Sequence, residues 1–181
     1  MGRNIFCLES LWDNNIERKT CVLPLLELAE KACSIKFVHL TCNTVSEFKY
    51  NISLRPRGRS YGLLYLSFHG SEGNIHLHDK SVLDLQKLSE MLGTRFRGWA
   101  LHFGSCSTLK GDEALIRKFM RETDIKLVTG YCKDVDWVES AALDLIIFRR
   151  IQEYKKLKSF LNFINSTYQD LVEINGFEGF S

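Results

Sequence analysis

His69 and Cys106 each close an apolar run, LLYLSFHG and WALHFGSC, where polar and small residues take over. Runs of this length and composition read as buried strands that deliver the histidine and the cysteine at their ends. The pair is the equipment of nucleophilic catalysis, in which the ring takes the thiol proton and the thiolate attacks a carbonyl carbon. Gly70 lets the backbone after the histidine turn its amide towards a substrate oxygen, and the Cys106 amide offers a second donor for the developing oxyanion. Gly104 and Ser105 place small side chains beside the sulfur.

For the two residues to meet, their strands must run the same way. A helical crossover separates them, which makes the strands parallel, and as neighbours they would set their carboxyl ends about 5 Å apart. Parallel sheets carry their chemistry along that edge.

The remaining pattern supplies such a sheet. Strands are expected at Asn4 to Leu8, Ile35 to Leu40, Tyr61 to Phe68, Trp99 to Phe103 and Ile125 to Gly130. Helices fall between them: Val22 to Ala32, capped by Thr20 with Pro24 in its first turn; Asn43 or Thr44 to about Asn51; Leu85 to Leu92, capped by Asp84; and Glu113 to about Arg121, capped by Asp112. The loop LRPRGRS precedes the third strand, and Asn74 to His78 reads as a small hairpin arm. A long apolar helix from Val138 to about Tyr154 follows the fifth strand. Weaker helices at Leu157 to Ile164 and Tyr168 to Ile174 come next, with Gly176 ending the last. The expected fold is α/β: one domain over residues 1–181, a three-layer sandwich with a mostly parallel central sheet of about five strands and helices on both faces.

Composition narrows the function. The 181 residues are 45% hydrophobic with only 2 prolines, a profile that excludes fibrous and disordered classes. With 24 basic against 22 acidic side chains, no global field recruits nucleic acid or an acidic membrane. The Arg55, Arg57 and Arg59 loop and the group from Arg149 to Lys158 read as solvated faces. No apolar stretch suits a secretory signal or a membrane span, so a cytoplasmic protein is expected, and the six irregularly spaced cysteines suggest no disulfide framework.

The pattern of a hydrophobic strand ending in His69-Gly70 and a second ending in Ser105-Cys106 resembles the caspase-like cysteine peptidases. The intervening NIHLHDKSVLDLQKLSEML is similar to the strand, turn and helix that bacterial CHAT-type proteases place there, and the likeness runs from Tyr61 to about Ile147. The Gln-Ala that precedes the cysteine in caspases is Gly104-Ser105 here, and the histidine stands 37 residues upstream (69 to 106) instead of about 50. The nearer likeness is therefore to a compact CHAT-type domain. It implies a cysteine endopeptidase with a His-Cys dyad and no cofactor, acting on a protein or peptide under the control of a partner chain, and a setting in bacterial defence. By the same resemblance Asp134, Asp136 and Trp137, in the segment after the fifth strand, line the pocket for the residue before the cut, with Ser105 beside them. An acidic floor there favours Arg or Lys. Either aspartate can instead cap the long helix.

Other readings stand beside these. The same crevice suits a non-catalytic module that binds a partner protein, and a small-molecule hydrolase would need a deep enclosed pocket. His76 and His78 share one side of a strand, as half of a metal site would, but an exposed hairpin explains them. His39 and His102 read as core residues and Cys132 as packing. Phe177 and Phe180 either tuck against the body or dock a partner.

Overall fold

The computed structural model describes residues 2–15, 17–18 and 20–181. The chain runs through β1 (Asn4–Glu9), α1 (Leu23–Cys33), β2 (Phe37–Thr41), α2 (Val45–Ser53) and β3 (Tyr61–Ser67). A short excursion follows, formed by β4 (His69–Ser71), β5 (Asn74–His76) and β6 (Val82–Asp84). Then come α3 (Leu85–Leu92), a 3-10 turn at Gly93–Phe96, β7 (Ala100–Phe103), α4 (Glu113–Thr123) and β8 (Leu127–Tyr131). The chain finishes with α5 (Trp137–Arg150), α6 (Leu157–Thr167), α7 (Gln169–Asn175) and β9 (Phe177–Phe180).

The strands form one six-stranded sheet in the order β2-β1-β3-β7-β8-β9, parallel throughout except for the last pair. The chain leaves β1 towards β2 on one side and β3 towards β7 on the other, so the connections diverge between these two parallel strands, the arrangement that opens a crevice at their carboxyl ends. Side-chain alternation gives each sheet face its own apolar cluster. Phe6, Leu64, Leu66, Leu101 and Val128 pack with α2, α3 and α4, while Ile5, Leu63, Ala100 and Leu127 pack with α1, α5 and α6. Helices therefore cover both faces.

Local chemistry explains most element boundaries. Thr44 forms a full capping box with Glu47 at the start of α2, Asp84 accepts from the Lys87 amide, and Asp112 from the Ala114 amide. Gly176 ends α7 in the left-handed conformation that a glycine adopts without strain. Thr20 does not cap α1. Its N-cap is Val22, whose amide donates to the Glu9 carboxylate from the end of β1. A tertiary partner thus replaces the local one.

Three strands escape the sequence pattern. β4 and β6 flank β5 in a small antiparallel sheet, each only three residues long and too short to show a period. β9 is the sixth strand of the main sheet: Phe177 tucks in at 5% exposure, and the strand pairs antiparallel with β8. No helix among the described residues is long and apolar enough to cross a membrane.

Candidate functional site

β3 and β7 are parallel neighbours, with Leu66 opposite Phe103. His69 and Cys106 each lie three residues along the chain beyond that pair, where both segments have left the sheet. The two segments also touch. A Cβ on Gly70 would collide with the Cys106 carbonyl oxygen and with Thr108 Oγ1, so only glycine fits there. Gly104 is held as tightly, because a Cβ on it would strike the Tyr65 ring. These two glycines are the packing that lets the His69 and Cys106 loops close on each other.

His69 and Cys106 line one cavity of about 960 Å³ at the carboxyl ends of β1, β3 and β7, roofed by the start of α1 and the first turns of α5. His69 Nε2 lies 2.8 Å from the Trp12 carbonyl oxygen. A carbonyl only accepts, so Nε2 carries a proton, which in the neutral form of the ring places the lone pair on Nδ1. Among the described residues Nδ1 has no hydrogen-bond partner, and neither have the Cys106 sulfur and the Cys106 amide. No hydrogen bond joins the sulfur to the ring. The pair lines the cavity from segments that follow adjacent strands, with the thiol and the amide donor unoccupied.

The support of the histidine begins at Glu9. Its carboxylate is buried at the end of β1 and accepts from Trp12 Nε1 at 2.6 Å and the Val22 amide at 2.9 Å, while its other oxygen meets His39 Nε2 at 2.7 Å. Trp12 is fixed in consequence. Its ring stands edge-on to His69 at 5.0 Å and to Trp137 at 4.9 Å, linking the two sides of the cavity mouth. Neither Glu9 nor Trp12 carries a spacing signal. The only hint in LESLW is a carboxylate directly following an apolar strand.

One layer below the cavity mouth a polar row crosses the sheet, with Cys7, Tyr65, His102 and Thr129 in register on successive strands. Asp144 reaches down from α5 to meet it. Its carboxylate accepts from the Tyr65 hydroxyl at 2.6 Å and from the Tyr131 hydroxyl, and faces His102 Nε2 at 2.6 Å. The other His102 nitrogen is 2.9 Å from Thr129 Oγ1. Burial first, then the facing Asp144 charge, pushes the Tyr65 and Tyr131 phenols well above their ordinary pKa, which keeps both as donors.

The residues that sequence reasoning placed in a specificity pocket are distributed differently. Trp137 lines the cavity. Asp136 caps α5, accepting from the Val138 and Glu139 amides at 2.8 and 3.1 Å. Asp134 accepts from the Ser107 hydroxyl at 2.9 Å, beside the Cys106 loop but off the cavity wall. Ser105 is buried at 1% exposure with its hydroxyl 2.7 Å from Thr108 Oγ1, and so underpins the Cys106 loop without reaching the cavity. The carboxylate on the wall is Asp144. Its position was not legible because helix α5 gives no period that separates a core aspartate from a solvated one.

The other titratable residues are absorbed by structure. The His76 ring meets the Ser71 hydroxyl at 2.7 Å, and among the described residues no cluster of three or more His, Cys, Asp and Glu is arranged to hold a metal ion. Burial raises the Cys7 thiol well above its usual range and the Cys42 thiol to about 12. Cys132 is raised by burial and by Glu178. Arg55 lies over the Phe96 and Trp99 rings, and Arg149 and Arg150 both pair with Glu153.

A comparison with curated proteins returns no match to this chain. A family model described as a family of unknown function, DUF6642, matches residues 2–180, and the chain belongs to that family.

Proposed function

We propose that this chain is a cysteine endopeptidase of the caspase-like type, close to the CHAT proteases, with Cys106 as nucleophile and His69 as general base and acid. The observation that carries the reading is that His69 and Cys106 follow the ends of two parallel neighbouring strands and both line one open cavity. Cys106 loses its proton to His69 Nδ1, and its sulfur bonds to the scissile carbonyl carbon. The carbon–nitrogen bond then breaks, and His69 returns the proton to the leaving amine. Water, deprotonated by the same ring, hydrolyses the thioester and frees the thiol. The Cys106 amide, with the backbone at Gly70, holds the oxyanion in both steps. Trp12 holds the ring through its carbonyl, in the place an orienting group takes beside a catalytic histidine. No cofactor enters this chemistry.

In this reading the chain works in the cytoplasm on a protein or peptide and answers to a partner chain, in a bacterial defence setting. The test is a peptide-library cleavage screen together with an electrophilic peptide probe. Cys106 takes the probe, and Cys106→Ala or His69→Ala lowers kcat/KM at least about 10³-fold with the melting transition retained. Hydrolysis unchanged in Cys106→Ala overturns the proposal. Peptide binding with no turnover, even with the partner chain present, would favour the non-catalytic binding module.

A further inference from the structure

We infer that the cavity beside Cys106 holds the substrate side chain on the acyl side of the cleaved bond, and that it selects a bulky uncharged residue, aromatic or long aliphatic, over Arg or Lys. This rests on the peptidase reading of Cys106 and His69 and names the substrate class for that site.

Three observations carry it. The first is the lining: Val22, Leu25, Leu28, Val135, Trp137 and Ala141 turn apolar surface into a space of about 960 Å³ that opens directly on the nucleophile. That volume is at the upper end for small-ligand pockets and admits an indole or phenol with room to spare. A peptide side chain there removes apolar surface from water on both partners.

The second is charge. The carboxylate on the wall, Asp144, already takes three donors, with Tyr65 and His102 on different oxygens and Tyr131 sharing the His102 side. A substrate cation would have to displace a phenol that burial keeps protonated. Asp136 is committed to the α5 amides and Asp134 to Ser107. The guanidinium on the lining, Arg18, pairs with Asp13 at 3.0 Å. Among the described residues, lining charge of both signs is therefore spent within the protein, and the basic preference expected from an acidic floor has no free carboxylate to rest on.

The third is Ser67. Its side chain is fully buried on the cavity wall, and among the described residues its hydroxyl has no hydrogen-bond partner. Buried hydroxyls are almost always partnered, so one left over in a cavity marks a place where an occupant completes the set. A neutral polar tip, such as a tyrosine phenol, meets it without importing charge.

The experiment uses the full chain and four acyloxymethyl ketone probes that differ only in the residue next to the warhead: Phe, Leu, Arg and Gly. The Cys106 thiolate displaces the acyloxy group as a carboxylate, and intact-mass spectrometry reads the rate. The Phe or Leu probe should alkylate Cys106 at least tenfold faster than the Arg and Gly probes. Ala141→Trp, which fills the cavity, should slow the Phe probe at least tenfold. An Arg probe that labels Cys106 as fast as the Phe probe overturns the inference and leaves the peptidase reading standing. Failure of all four probes to label Cys106 overturns the peptidase reading and this inference with it. As a measurement independent of reactivity, Cys106→Ala protein should bind N-acetyl-phenylalaninamide more tightly than N-acetyl-argininamide by NMR titration, and the reverse order sinks the inference.

Discussion

His69 and His102 both sit in apolar runs that end neighbouring strands, yet one ring is exposed at the rim and the other fully buried. His102 has both nitrogens engaged, by Asp144 and by Thr129, inside a network whose phenols also have their partner. His69 has one nitrogen held by a backbone carbonyl and the other open to the cavity. The difference separates architecture from chemistry. A polar cluster in which every atom is partnered rigidifies the fold. A cluster with a lone pair, a thiol and an amide left over is one that a substrate can complete.

If that division is right, damage to the closed cluster costs stability, and damage to the open pair costs activity. Asp144→Ala leaves the Tyr65 phenol and one His102 nitrogen without a partner in the interior and reduces Tyr131 to its bond with the Ser140 carbonyl, and should lower unfolding free energy by about 3–5 kcal/mol in urea titrations. A loss under about 1 kcal/mol would erase the distinction. Alkaline pH should act on the same cluster. Folded Tyr65 and Tyr131 have raised pKa values, so their contribution is full below the unfolded value of about 10 and is lost as pH climbs towards the folded values. Above pH 10 the slope should approach about 1.4 kcal/mol per pH unit for each tyrosine. It should shrink by one tyrosine's share in Tyr65→Phe, and a flat profile in the wild type would contradict the burial argument.

Tyr65→Phe itself should cost about 1–3 kcal/mol at neutral pH, because it removes one donor from the buried Asp144 carboxylate and leaves the ring packing in place. At the small end, Cys106→Ala and His69→Ala should each shift stability by no more than about 0.5 kcal/mol while eliminating probe labelling. A large stability loss in either would move that residue into the closed class.

Much of this was legible in the residues. The runs ending at His69 and Cys106, the caps at Thr44, Asp84, Asp112 and Asp136, and the stop at Gly176 are all local signals that act within one turn of the chain. Glu9 and Asp144 were not legible, since each takes its meaning from partners far along the chain, His39 for one and Tyr65 for the other. Ser105 looked like a pocket residue for the same reason. Its neighbour across the loop, Gly70, decides that it is buried, and nothing in GSC records that contact.

The sequence by itself determined the parallel α/β plan and the two strand ends that bear a histidine and a cysteine, because apolar periodicity and capping are properties of adjacent residues. Only the tertiary structure decided which histidine is free, which aspartate meets the cavity and which side chains line it. Those depend on how β1, β3, β7 and α5 converge. A side chain's charge and hydrogen bonds are set by the groups that surround it in space, and those groups come from distant parts of the chain.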